Sequence, residues 1–368
     1  MIRQRKHFLR WSMWIMLGII ALLLGACDSV NGNAPAPNPT QVPVNGFGVA
    51  SNHVHSLVAL PNHVLLLATH FGTFRSEDSG KTWTQESGGP NQLMQGVMDI
   101  SLVVSPFDQQ RLYLLTQPSV SGHPSGVLGL YTSGDQGRTW QIVNKTANFT
   151  AAPDGIPFTV AGNDAPNEVY IYVRTLGVHG LKISHDNGQN FSDTGTLPFG
   201  NITNMIAVPG AAGQLLIYGS DGIARSTDNG KHWQVIQAIT SSIFTVATSG
   251  LHSPIYASGD EGTYVSQDEG KTFTQVSQDY HPQLIASPYQ PQVIYSHTYL
   301  HITRSSDGGK TWVALPALQT SNSNAGSYSN IAVDADNATT VYLSISYPVE
   351  MYSLSQNSTE WSSLTPKA

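Results

Sequence analysis

Cysteine is all but missing from this chain, which carries a single one, Cys27, in 368 residues. No intrachain disulfide is available, so a folded domain must be held by its core and its topology. Charge is also scarce. Only 11% of the residues are charged, under half of the share of about 25% usual for soluble domains, and Ser, Thr, Asn and Gln stand in on the polar positions. The balance is acidic, 17 Lys and Arg against 24 Asp and Glu. Four of those bases, Arg3, Arg5, Lys6 and Arg10, crowd the first ten residues. Without them 13 bases face 24 acids, a net charge of −11, which argues against nucleic acid or an anionic membrane surface as a partner. The apolar run Trp11 to Leu24 is too short for a comfortable membrane span.

What is present is repetition. An eight-residue box, Ser-x-Asp-x-Gly-x-Thr-Trp with small variations, occurs at Ser76 to Trp83, Ser133 to Trp140, Ser184 to Phe191, Ser226 to Trp233, Ser266 to Phe273 and Ser305 to Trp312. A damaged seventh copy runs from Ser355 to Trp361, with Asn357 in place of the acid. The anchors Asp78, Asp135, Asp186, Asp228, Asp268, Asp307 and Asn357 are 57, 51, 42, 40, 39 and 50 residues apart, a period that indicates a propeller or array. Two apolar runs precede most boxes, and Gly72, Gly129, Gly180, Gly222 and Gly262 lie six residues before their aspartates, with His301 replacing the glycine in the sixth unit. This pattern predicts an all-β chain forming a single seven-bladed propeller of four-stranded antiparallel blades over residues 48–365, without helix beyond the leader. The box is expected to be the hairpin between the two outer strands. Its Asp would cap backbone N–H groups, its Gly would supply a positive φ, and its aromatic residue would pack between sheets. A residue required in six hairpins is structural rather than catalytic.

The boxes resemble the Asp-box, or BNR, repeat of sialidases, xyloglucan-cleaving glycosidases, sortilin-type receptors and the photosystem II assembly factor family, all β-propellers. The resemblance covers nearly all of residues 50–364 and implies the fold. Enzymes, receptors and assembly factors share it, so it does not by itself imply an activity. At the N-terminus Leu24-Gly25-Ala26-Cys27 resembles a bacterial lipobox behind a basic and then apolar leader. The expected organisation is a signal peptide over 1–26 and a lipidated Cys27 opening a Pro- and Asn-rich tether over 27–47. A monomeric propeller would then be anchored to the outer face of the cytoplasmic membrane, or on the periplasmic side in a Gram-negative envelope.

The functional face is expected opposite the boxes, where the innermost strands begin. His53-Val-His55 places two imidazoles on one strand face, and His70 ends the neighbouring strand. Such a trio suits Zn or Cu, with Met98 as a soft extra ligand and His123 in the long insertion of the second unit nearby. The same residues also fit a solvated, hydrogen-bonded rim. The segments His53-Val-His55-Ser-Leu, Ala68-Thr-His70-Phe-Gly and Ser121-Gly-His123-Pro resemble a group of exported bacterial BNR-repeat proteins labelled glycosyl-hydrolase-like.

Two function classes lead: a non-catalytic envelope module binding a protein, glycan or metal, and a glycoside hydrolase. For the second, Asp99, Asp221, Asp260 and Glu261 are the candidate carboxylates, since two facing acids suffice. A sialidase-like site implies an Arg-Ile-Pro motif and an arginine cluster. The motif is absent, and Arg75, Arg111, Arg174, Arg225 and Arg304 mostly occupy repeat-equivalent positions. An assembly factor of the photosystem II type implies an arginine-rich patch, which this acidic chain does not display.

Overall fold

The computed structural model describes residues 46–366 except 48, 119–125, 146–157, 163, 164, 166, 299, 323–328 and 338. The leader, Cys27 with the tether up to residue 45, and His123 lie outside the described residues. Seven separate four-stranded antiparallel sheets follow one another along the chain. Blade one comprises β1 (Val54–Leu60), β2 (Val64–Thr69), β3 (Gly72–Ser76) and β4 (Thr84–Gln85). Blade two comprises β5 (Val97–Val104), β6 (Leu112–Pro118), β7 (Leu130–Ser133) and β8 (Gln141–Asn144). Each blade runs from its innermost to its outermost strand in chain order. Innermost strands of successive blades touch, and the seventh touches the first.

The second strands of the blades are buried on both faces along most of their length, which is why they read as apolar runs rather than as alternation. With side chains of the innermost and third strands they form seven apolar layers, one between each pair of neighbouring blades. Burial at about 25 cal/mol per Å² of apolar surface makes these layers the main stabilising term in a chain without disulfides. The conserved spacing of the glycines has a steric cause. Gly72 opens β3 at φ +110°, and a Cβ there would meet the Ser87 carbonyl oxygen at 2.0 Å.

The box is the hairpin between the two outer strands, as its sequence predicts, and all six intact copies share one bonding scheme. In Ser226 to Trp233, the Ser226 hydroxyl donates to Asp228 Oδ1 at 2.9 Å and accepts the Gly230 N–H at 2.9 Å. Asp228 Oδ1 also accepts the His232 N–H at 2.9 Å; beyond this common scheme, Trp83, Trp233 and Trp312 each donate an indole N–H to the box glycine carbonyl, Trp233 to Gly230 at 3.0 Å. Serine is therefore as central as aspartate. The residue after each Asp is left-handed as well as the Gly: Ser79, Gln136, Asn187, Asn229 and Glu269 have φ between 57° and 61°, and the sixth box has Gly308 there. Of the box aromatics only Phe273 is buried; the tryptophans are half-buried.

Arginines of the third strands link a blade to the next box. Arg75, buried in blade one, donates from Nε to the Gln136 carbonyl at 3.0 Å, and Arg225 of blade four donates to the Glu269 carbonyl at 3.2 Å. These two arginines are joints between blades.

Two expectations change. Among the described residues one helical element occurs, a kinked 3₁₀ segment Arg174–His179 in blade three; with Gly177 at φ 53° inside it, it is a pair of tight turns that reverses the chain between strands. Residues 46 and 47, expected from the sequence to end a tether, pack on the ring. Phe47 packs on Phe74 and Trp83, with centroids 5.7 and 5.5 Å apart, and Asn52 Nδ2 donates to the Gly46 carbonyl at 2.9 Å. Both residues belong to the ring.

The ring closes without strand exchange. All four strands of blade seven, Ser329–Val333, Thr340–Ile345, Glu350–Ser355 and Ser362–Ser363, come from the C-terminal part of the chain. The damaged box still supplies the outer strand. Its Trp361 donates to the Pro316 carbonyl of blade six at 2.8 Å instead of to its own turn. Among the described residues no helix is long and apolar enough to cross a membrane.

Candidate functional site

The three histidines of blade one converge. His53 immediately precedes β1, and its carbonyl accepts the His70 N–H at 3.1 Å, so the two residues face each other across the β1–β2 pair. Thr69 shapes the turn that follows, its hydroxyl donating to the Gly72 carbonyl at 2.9 Å and accepting the Phe71 N–H at 3.1 Å. His55 is the extra residue of a β-bulge, because Val54 pairs with Thr69 while Ser56 pairs with Ala68. A bulge re-aims the side chain it carries. Here one ring nitrogen from each of His53, His55 and His70 lies within 4.8 Å of the others. Ring centroids are 4.4 Å apart for His53 and His55 and 4.9 Å for His53 and His70.

The trio is neutral at physiological pH. Burial, with the neighbouring His70, pushes His53 down to about 4. Burial and both neighbours hold His55 well below the usual imidazole range, and burial alone lowers His70. A neutral imidazole keeps a ring-nitrogen lone pair that can bind a cation. The buried Nε2 of His55 has no hydrogen-bond partner. Tetrahedral Zn with three nitrogens at 2.0–2.1 Å needs those nitrogens about 3.4 Å apart, so small side-chain rotations bring the trio onto one ion. The donor set suits Zn or Cu, both good imidazole acceptors.

The site sits at the ring's seam. His53 stacks on Tyr347 of blade seven, with centroids 5.0 Å apart and planes 28° from parallel. On either side of His53, Val54 donates its N–H to Ser346 Oγ at 3.0 Å and Asn52 accepts the Tyr347 N–H at 3.2 Å. Ser346 and Asn52 escape a local reading of the sequence because the bonded partners lie nearly 300 residues apart; Val54 and Ser346 are separated by 292.

The other candidates are dispersed. Met98 packs in the apolar layer between blades two and three, with Ile100 and Tyr113. Asp99 lies inside β5 rather than before it; it is 0% exposed, its carboxyl oxygens make no hydrogen bond, and burial raises its pKa well above the carboxylate range. Asp221 and the pair Asp260 and Glu261 are exposed in the tight hairpins of blades four and five. His297 of blade six is buried and bonded through Nε2 to the Ser329 carbonyl at 3.1 Å. Glu350 bonds Tyr352 and Thr320. At the ends of the innermost strands of blades two to six lies a cavity of about 370 Å³, lined by apolar groups such as Val104, Val160, Ile206, Val246 and Ile285.

No protein-family model matches the chain, and no curated protein matches it. Solved structures do. The GH74 enzyme of Niastella koreensis superposes with a TM-score of 0.64 at 18% identity, covering 87% of this chain and 54% of that one. The GH74 xyloglucanase of Xanthomonas campestris gives 0.64 at 16% identity, with 88% and 55% covered. The chain thus spans about half the length of these enzymes. YCF48 bound to a D1 peptide gives 0.51 at 13% identity, covering 88% of this chain and 96% of that one. At such identities the likeness is one of fold, a seven-bladed propeller that both enzymes and non-enzymes use.

Proposed function

We propose that this chain is an envelope binding module that acts without catalysis and whose functional centre is His53, His55 and His70. The centre holds a Zn or Cu ion and presents it, at the seam of the ring, to a polar ligand or a protein partner. One observation carries this reading: three neutral imidazoles converge within 4.8 Å on a single blade. The leader, the lipobox and Cys27 support anchoring by lipid outside the cytoplasmic membrane. Metal analysis of the purified domain after incubation with Zn²⁺ and desalting tests the reading. About one ion per chain, lost in His55→Ala, supports it, and equal metal content in both proteins refutes it.

A second reading, glycoside hydrolysis, draws on the higher TM-scores to the GH74 enzymes, 0.64 against 0.51 for YCF48. Its carboxylates would be drawn from Asp221, Asp260 and Glu261, because a buried, protonated Asp99 has no route to a glycosidic bond. Release of reducing ends from xyloglucan by the parent chain, and its loss in Asp260→Asn or Glu261→Gln, would favour this reading over the first.

A further inference from the structure

Asp99 occupies a position that the other blades give to aliphatic residues. The innermost strands of blades one, two, four and five share one irregularity, between Val54 and Ser56, Asp99 and Ser101, Ile202 and Asn204, and Ile243 and Thr245. Asp99 therefore corresponds to Val54, Ile202 and Ile243. Each of those three packs in the layer shared with the preceding blade. By the same register Asp99 faces blade one, as does Leu102 three residues later.

The histidines look into the same layer from the other side. His53 and His55 correspond to Met98 and Ile100, which pack toward the blade that follows theirs. His70 stands two residues beyond Ala68 on the β2 side, and Ala68 lies in the layer between blades one and two. This register places Asp99, His55 and His70 at the same end of the layer between blades one and two, with His53 beside them and also stacked on Tyr347 of blade seven.

A carboxyl group at this place is costly. It is fully buried and neither oxygen is bonded, an arrangement that costs stability of its own. The other buried acids among the described residues are engaged: Glu168 accepts from Tyr170 at 2.9 Å, and Asp334 accepts from Tyr342 at 2.6 Å. Three neutral imidazoles, for their part, leave the charge of a bound dication uncompensated, and a buried charge needs a partner.

We infer that Asp99 is the anionic partner of the histidine centre, the buried carboxylate that balances a divalent cation held by His53, His55 and His70. The inference rests on the metal reading above. It explains why blade two retains an acid where its sister blades have Val or Ile.

The test is calorimetric titration with Zn²⁺ of the parent domain, Asp99→Asn and Asp99→Ile, with thermal unfolding of each in the absence of metal. Loss of a supporting residue around a metal site typically lowers affinity about 10–100-fold. Both variants should bind Zn²⁺ weaker by that factor, while Asp99→Ile without metal unfolds at a temperature equal to or higher than the parent. A purely structural Asp99 cannot give these opposite signs. Affinity within about twofold of the parent in both variants overturns the inference and leaves the metal centre standing. A parent that takes up no Zn²⁺ overturns both.

Discussion

His53 and Tyr347 stack across the junction of blades one and seven, where the first and last blades in chain order meet. No strand is exchanged there. The junction is held by the apolar layer around Phe47, Val54 and Met351 and by a few side-chain bonds. Among those bonds, Asp336 accepts the N–H groups of Asn62 and His63 at 3.0 and 2.7 Å.

The junction should accordingly be the first part of the ring to open. Native hydrogen exchange is expected to show lower protection in blades one and seven than in blades four and five. Asp336→Ala should cost about 1 kcal/mol and widen that difference. Uniform protection around the ring would contradict the account.

The boxes should behave as structural parts in every blade. Asp228→Ala or Ser226→Ala is expected to cost about 1–3 kcal/mol, because each leaves hairpin N–H groups without acceptors. Trp233→Ala should fall near or below the lower end of the 3–5 kcal/mol typical of core aromatics, since the ring is only half-buried. Denaturant unfolding measures all three, and Zn²⁺ binding should be unaffected in each.

Much of this was legible in the chain itself. The box spacing predicts seven blades, and the hairpin position of Ser76 to Trp83 follows from turn chemistry. Other features resist local reading for physical reasons. Ser362–Ser363 is too short a strand to leave a pattern, so the sequence alone leaves the closing strand open between Trp361 to Leu364 and residues 42–50. Strict alternation suggests that His53 and His55 share a face, and their rings do meet, but alternation does not reveal the bulge between them, nor that His53 also stacks on Tyr347 of blade seven. The corresponding bulge at Ile100 conceals Asp99, which a plain reading places at the rim before the strand begins. Met98 likewise reads as a rim residue and is an apolar contact between blades.

Acid should act on the protein in two stages. His53 titrates near 4 in the folded chain and near 6.5 unfolded, so between those values the unfolded chain binds more protons and stability falls as pH falls. His55 and His70, also lowered, add to the same window. The box acids have the second effect. Burial works to raise Asp228, but hydrogen bonds from His232 and Ser226 outweigh it and hold it at about 2; the Thr311 hydroxyl, opposed by burial, holds Asp307 at about 2. The stability they contribute is present above about pH 4 and is lost as pH falls toward 2. Chemical unfolding from pH 7 to 3 should show the first decline in the parent and a flatter curve in the triple variant His53, His55 and His70→Ala.

The depressed histidines also move the pH range of metal capture. Ordinary imidazoles would release a cation as pH falls through about 6.5, whereas His53 stays unprotonated to about 4.

Calorimetric titration of the mature domain with Zn²⁺ at pH 7 and at pH 5.5, beside the triple His53, His55 and His70→Ala variant, tests the central claim most directly. The account predicts one site per chain in the parent, affinity at pH 5.5 within about tenfold of that at pH 7, and no binding in the folded variant. Equal titrations for parent and variant, or no heat of binding in either, would contradict it.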